Sequence, residues 1–235
     1  MSDTFVFTGP TLDPREAENL LTATFLPPVK RGDLRDLASK HPAIVAIIDG
    51  EFFQSLAVSP KEILPLLDLG TRVYGAASMG ALRAVELSRF GMIGIGRVFR
   101  LFRRGVLDAD DEVAVAYDPA TYNCVSEPLV NTRYTLRAAV RAGVLTRAEA
   151  LDLIINLKAT YFPDRTRERL TAITRDRIGL QRAIELRAFI ASHARDVKRE
   201  DAIELLQRLN ASADCARGAS ARSSASQTGP QTSAY

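Results

Sequence analysis

Residues 43–48 (Ala-Ile-Val-Ala-Ile-Ile) form an unbroken apolar run that stops at Asp49-Gly50. A strand wet on one face alternates apolar with polar residues; a strand without alternation is covered on both faces, as in a parallel sheet between layers of helices. The neighbouring segments agree. Residues 4–8 (Thr-Phe-Val-Phe-Thr) and 71–75 (Thr-Arg-Val-Tyr-Gly) read as two more short strands. Each strand leads into a helix-start signal: Thr11 or Asp13 with Pro14 after the first, Ser59-Pro60-Lys61-Glu62 as a capping box after the second, and Ala76-Ala77-Ser78 after the third. Pro65 should kink the second helix before Gly70, and Gly91 should stop the third after Phe90.

The resulting order, βαβαβα, predicts an α/β fold with a parallel sheet, flanking helices and right-handed crossovers, whose ligands sit at the carboxyl ends of the strands. Those ends carry Gly9-Pro10, Asp49-Gly50 and Gly75-Ala76-Ala77-Ser78. Further on, a short helix at 97–104, an acidic turn at 108–112 and an alternating strand at 113–117 are expected, and from about residue 130 the chain reads as mainly helical. Beyond Asn210 it has no Leu, Ile, Val or Phe. Such a tail cannot offset the roughly 1–2 kcal/mol per residue of backbone ordering entropy, so it is expected to be disordered. The expected organisation is therefore a core at 1–128, a helical part at 129–210 packed on that core, and a tail at 211–235.

Composition narrows the chemistry. At 235 residues, 46% hydrophobic and 25% charged, the chain suits one α/β domain with a helical appendage. No stretch approaches the 18 to 20 or so apolar residues of a membrane span, and Asp3 stands where a basic leader would begin, so a cytoplasmic protein away from membranes is expected. Two cysteines (Cys124, Cys215) and two histidines (His41, His193) exclude a disulfide framework, a multi-cysteine zinc site and a His-rich metal site. The net charge of +3 is small and its basic residues are interspersed with acids, so no nucleic-acid partner is expected.

Ser78, between a strand and a helix in Ala76-Ala77-Ser78-Met79-Gly80, has the setting of a nucleophile elbow with Ala in place of the first glycine. That geometry aims the hydroxyl and the N–H groups of Met79 and Gly80 at a bound anion or developing oxyanion, whereas an ordinary serine here would cap the helix. No histidine is placed for a Ser-His-Asp triad. Asp49, at the end of the most buried strand, is a candidate functional carboxylate with Glu51 beside it, and Asp-Gly is also a plain turn signal. Glu62 is explained by its capping spacing from Ser59. The Gly94-Ile95-Gly96 stretch follows a helix and lacks the third glycine of a dinucleotide loop, which leaves close backbone packing. Asp110, Asp111 and Glu112 can bind a divalent ion or a basic partner but lack calcium-loop spacing. Cys124 is a candidate sulfur-handling thiol or a small hydrophobe.

Taken together, Phe7-Thr8-Gly9-Pro10-Thr11-Leu12, Leu26-Pro27-Pro28 with Gly32-Asp33, Ile48-Asp49-Gly50, Lys61-Glu62-Ile63-Leu64, the run from Tyr74 through Ser78-Met79-Gly80 to Arg83-Ala84, Phe90-Gly91-Met92 and Asp110-Asp111-Glu112-Val113 resemble the TfuA-like proteins, as do Ser126-Glu127-Pro128 and Asn131 with Arg133. The resemblance spans residues 5–135. It implies a role beside a YcaO enzyme in backbone thioamidation of a ribosomal peptide or protein: hydrolysis of the C-terminal thiocarboxylate of a ThiS-like, ubiquitin-fold sulfur carrier, which releases sulfide to the YcaO partner without a cofactor or metal. Many family members carry His in the segment before the Lys-Glu-Ile-Leu run, where this chain has Pro60; if that histidine is catalytic in the family, this chain is impaired or uses another base. Under this expectation Ser78, Asp49 and Glu62 are the catalytic candidates. Gly9, Pro10, Lys30, Arg31, Gly50, Gly75, Met79, Gly80, Arg83 and Arg133 are the substrate-binding candidates, the cations answering the charge of a thiocarboxylate. The rival expectations are a non-catalytic adaptor for the YcaO enzyme or its peptide, and a phosphate-binding domain, against which the missing Walker lysine argues.

Overall fold

The computed structural model describes residues 3–52 and 57–225. At its centre is a five-stranded, all-parallel sheet of order β2-β1-β3-β4-β5. Its strands are β1 (Thr4–Phe7), β2 (Thr24–Leu26), β3 (Ile44–Ile47), β4 (Arg72–Gly75) and β5 (Ile93–Gly94). The crossovers carry α1 (Pro14–Glu18), α2 (Asp33–Ala38), α3 (Pro60–Asp68) and α4 (Met79–Leu87), with α5 (Gly96–Arg103) after β5. Both faces are covered, as the run at 43–48 requires. Phe7, Val45, Ile47 and Val73 pack with Leu34, Ile63, Leu66 and Leu82 on one side, and Val6, Ile44, Ala46 and Ile48 with Ala17, Leu205 and Leu206 on the other.

Two of the five strands have no counterpart in the sequence patterns. β2 has only three residues and is followed by Pro27-Pro28, and β5 has two residues in a glycine-rich stretch, too short to show a period. β2 matters most. It sends the chain to one side of β1 before β3 returns on the other, so the direction of winding reverses between β1 and β3. In a doubly wound sheet this is where the loops diverge and a crevice opens. The strand expected at 113–117 is not formed. Val113 and Ala114 are fully buried, and only Tyr117 makes an isolated antiparallel bridge, to Cys124.

The helical part comprises α6 (Leu129–Arg141), α7 (Arg147–Lys158), α8 (Arg167–Arg177), α9 (Leu180–His193) and α10 (Val197–Ala225). Helices α6 to α9 share a core of Leu129, Leu136, Leu153, Leu157, Leu170, Ile173 and Leu186. By contrast α10 returns to the sheet, where Ala202, Leu205, Leu206 and Leu209 cover its second face. Asp201 of α10 accepts hydrogen bonds from the N–H groups of Arg97 (2.8 Å) and Val98 (2.7 Å), and so caps α5 from another helix. Gly94 and Gly96 serve close packing, since a Cβ at either would stand 2.2 Å from Phe99 or Asp201. Helix α10 continues to Ala225, into the segment expected to lose order. Its alanine content favours helix, and extending a helix already nucleated by packed residues costs little. Residues 226–235 of the expected tail lie outside the described residues. Among the described residues no helix is long and apolar enough to cross a membrane.

Candidate functional site

The crevice between the ends of β1 and β3 is held by one carboxylate. Asp49 is 1% exposed; its Oδ2 accepts the N–H of Gly9 (3.0 Å) and of Thr11 (2.9 Å), and its Oδ1 accepts the Thr11 hydroxyl (2.5 Å). The loop after β1 is thereby drawn onto the end of β3. Gly9 is needed for this approach, because a Cβ there would stand 2.7 Å from Pro28 and 3.1 Å from the Tyr122 ring.

From β4 the chain turns sharply into α4. Ala77 adopts φ 64° and the Ser78 N–H donates back to the Ala76 carbonyl at 2.7 Å, a three-residue turn that a residue with a Cβ adopts only under strain. The turn is pressed onto the sheet by glycine at position 80, where a Cβ would lie 1.7 Å from the Ile47 carbonyl oxygen. Although Ser78 occupies the N-cap position, its side chain makes no capping hydrogen bond. It is 2% exposed and lines the crevice. The Met79 N–H opens the helix and so has no intrahelical acceptor. The Gly80 N–H donates to the Ile48 carbonyl (3.3 Å), which corrects the expectation that it is free for an oxyanion.

The crevice deepens into a cleft of about 260 Å³ whose floor is Pro10, Asp49, Gly50, Glu51, Phe52 and Ser78. One wall is Val115, Ala116, Tyr117 and Pro119, and the other Tyr161, Phe162 and Pro163. Both walls are anchored by buried polar groups. The Ser126 hydroxyl accepts the Ala116 N–H (2.8 Å), and Lys198 Nζ donates to the Val113 carbonyl (2.7 Å). Asn131 accepts the N–H groups of Val197 (3.0 Å) and Lys198 (3.3 Å), which fixes the start of α10 and with it Lys198. Arg165, 2% exposed, donates to the carbonyls of Leu157, Thr160 and Asp111 and pairs with the Asp111 carboxylate, fastening the Tyr161 to Pro163 wall.

Burial and negative neighbours set the electrostatics here. Tyr117 is pushed up to about 12, first by burial and then by Glu51 and Asp49, so its phenol stays protonated. Lys198, 3% exposed, is lowered by burial, and Asp49 is the strongest of the groups that hold it charged. The Cys124 thiol lies 3.6 Å from the Pro10 carbonyl oxygen, and burial raises it, which disfavours the thiolate.

The structure thus gathers Pro10, Asp49, Gly50 and Ser78 in one cleft. Gly9 and Met79 adjoin it, and Gly75 and Gly80 pack together beneath the turn. Other expected residues stand apart. Glu62 does not line the cleft; its oxygens accept the N–H groups of Gly32 (2.6 Å) and Ser59 (3.0 Å), so it caps α3 and clamps the loop before α2. Lys30 and Arg31 are exposed in that loop. Arg83 donates to the Val58 carbonyl (2.8 Å) and pairs with Glu86 (2.7 Å). Arg133 holds Glu112, which is 0% exposed, through two bonds of 2.9 and 2.6 Å. Asp111 is engaged by Arg165, and Asp110 is exposed on the same turn. Pro60 opens α3 away from the cleft. Among the described residues, no group of three or more His, Cys, Asp or Glu is arranged to hold a metal ion.

Lys198, Tyr117 and the Tyr161 to Pro163 wall have no local signal in the sequence. Ser126 and Asn131, quoted for the family resemblance, are the nearest pointers to them. No curated protein matches the chain. A family model described as TfuA-like protein matches residues 49–166, from the Asp49 carboxylate through both cleft walls to Thr166. With half of its length in that match, the chain belongs to the TfuA-like protein family.

Proposed function

We propose that the cleft hydrolyses the C-terminal thiocarboxylate of a ThiS-like, ubiquitin-fold sulfur carrier and hands sulfide to a YcaO enzyme for backbone thioamidation. The observation that carries this reading is the Ser78 side chain. It occupies a helix N-cap without capping, on a strained turn, and faces a cleft at the sheet's switch point.

In this mechanism the carrier's C-terminal segment enters between the Tyr117 and Tyr161 walls. The Ser78 hydroxyl and the Met79 N–H donate to the acyl oxygen. Asp49 orients a water molecule and takes its proton as the water oxygen bonds to the carbonyl carbon. Asp49 returns that proton to the sulfur as the C–S bond of the tetrahedral intermediate breaks, so sulfur leaves as hydrosulfide and the new carboxyl group on the carrier loses its own proton to solvent. Lys198 offsets the negative charge that Asp49 and the thiocarboxylate bring together. The cations first expected in this role lie elsewhere. Once protonated, the sulfur leaves as hydrosulfide far more readily than oxygen leaves as hydroxide, so an acid stronger than the protonated Asp49 carboxyl is not required.

A second reading, a non-catalytic adaptor for the YcaO enzyme or its peptide, is favoured by one observation: the Asp49 carboxylate already accepts three hydrogen bonds. Purified chain and thiocarboxylated carrier, without the YcaO enzyme or ATP, separate the two. The hydrolase reading expects sulfide release. Ser78→Ala should lower that rate by roughly 10²-fold or more at near-wild-type stability, because no cap is lost. Ser78→Asp should be inactive, since it sets a negative charge against an anionic substrate. Absence of release by the wild-type chain would leave the adaptor.

A further inference from the structure

The strongest unassigned surface is the groove between α6 and α7, about 500 Å³ in volume. Arg133, Arg137 and Arg141 stand four residues apart along α6, one stripe of like charges that weakens an isolated helix. Arg133 is neutralised by Glu112, but among the described residues no carboxylate pairs with Arg137 or Arg141. Arg147, equally unpaired, is the first residue of α7, where the helix dipole disfavours a cation.

The acids of α7 are turned away from this groove. Glu149 caps its own helix and faces Arg182 of α9 at 3.6 Å, and Asp152 pairs with Arg177 of α8 at 2.8 Å. The opposite face of α7 presents Arg147, Leu151 and Ile154, at i, i+4 and i+7, to the groove. Leu151 is 58% exposed. A second groove, between α8 and α9, also has exposed leucine and isoleucine, but its cations have acids at hand: Glu168 lies in the groove and interacts with Arg187, and Arg167 and Arg175 are paired. At α6–α7, by contrast, the groove lining contains no carboxylate, and Arg137, Arg141 and Arg147 flank exposed Leu151 in an arrangement that costs the isolated chain stability.

We propose that the α6–α7 groove is a docking surface for an acidic segment of a partner protein, one whose carboxylates meet Arg137, Arg141 and Arg147 while an apolar side chain covers Leu151. Charge complementarity sets the partner's sign. The apolar floor separates a protein segment from a polyanion, which has nothing to place there. This inference is independent of the chemistry proposed for the cleft.

The test is fluorescence anisotropy of the full chain with a fluorescein-labelled amphipathic peptide that carries leucines on one face and glutamates beside them. A lysine version, polyglutamate, single-stranded DNA and phosphatidylserine vesicles are the comparison probes. The acidic peptide should bind, and its affinity should fall about tenfold or more both with Arg137→Glu/Arg141→Glu and with Leu151→Asp, all at exposed positions. Arg89→Glu/Arg104→Glu, the same charge change elsewhere, should leave it unchanged. Melting curves confirm that each variant is folded. Peptide affinity unmoved by either groove variant would overturn the proposal. So would polyglutamate, DNA or vesicles binding as well as the peptide and insensitive to Leu151→Asp, which would make the groove a general anion surface.

Discussion

Replacing Asp49 separates the two tasks assigned to its carboxylate. In Asp49→Asn the amide oxygen can take the Oδ2 position and keep the bonds from Gly9 and Thr11, while the new NH₂ faces a Thr11 hydroxyl that rotates to accept. What is lost is the charge assistance of those bonds, roughly 1–3 kcal/mol in all. Asp49→Ala instead strands two buried N–H groups and a hydroxyl at about 1–3 kcal/mol each, of order 3–6 kcal/mol together after relaxation. For a chain of this size each kcal/mol moves Tm by roughly 2–4 °C, so alanine should cost about 10 °C or more and asparagine well under that. Both should abolish sulfide release, asparagine because a neutral amide takes no proton from water. Thermal melts and a sulfide assay on the two variants suffice. If asparagine is as unstable as alanine, the hydrogen-bond account is wrong; if asparagine keeps the wild-type rate, Asp49 orients a loop and nothing more.

Two further predictions concern contacts that the helical part makes with earlier segments of the chain, α6 with the acidic turn and α10 with α5. Glu112→Ala should cost about 3 kcal/mol in urea denaturation, because it leaves Arg133 beside an emptied, buried site, whereas Glu112→Gln should cost less; equal losses would mean that packing, not pairing, matters there. Asp201 is raised to about 6 by burial, with Glu204 adding to the rise and the N–H groups of Arg97 and Val98, with Arg100, opposing it. A folded-state pKa above the unfolded value means that the fold binds the proton more tightly. The stability of the wild type relative to Asp201→Asn should therefore rise as pH falls from 7 to 4, by at most roughly 3 kcal/mol. A difference that is flat across that range, or that grows toward pH 7, would contradict this assignment.

Much of the candidate site was legible as positions and little of it as function. Asp49 and Ser78 could be placed at strand ends because strand and helix signals are local. Whether Ser78 caps its helix depends on the φ of Ala77 and on the pressure of Gly80 against Ile47, neither of which has a sequence signature. Glu62 fits its capping spacing and is occupied by it. Arg83, chosen for its place on the helix after Ser78, lies elsewhere because a side chain five residues along a helix points wherever the helix phase sends it, and Lys30, chosen in the loop before Gly32, is exposed in that loop. The cation that Asp49 helps to hold charged, Lys198, comes from a helix 149 positions later.

The α/β class, the parallel sheet covered on both faces, a helix start at Thr11 or Asp13 and another at Ser59 were set by the sequence alone. Each rests on interactions within a few residues: apolar periodicity, a proline in the first turn, a serine with a glutamate three positions on. The tertiary structure decided the rest. It placed the two-residue β5 and the edge strand β2, which exist only because a neighbour supplies their hydrogen-bond partners, and with β2 it created the switch point between β1 and β3. It also built the cleft walls from Val115 to Pro119 and Tyr161 to Pro163, segments without strand or α-helix that are held by Ser126, Lys198 and Arg165. Loops of that kind have no period of their own to read, and their shape is determined by the distant side chains that satisfy their carbonyls and N–H groups.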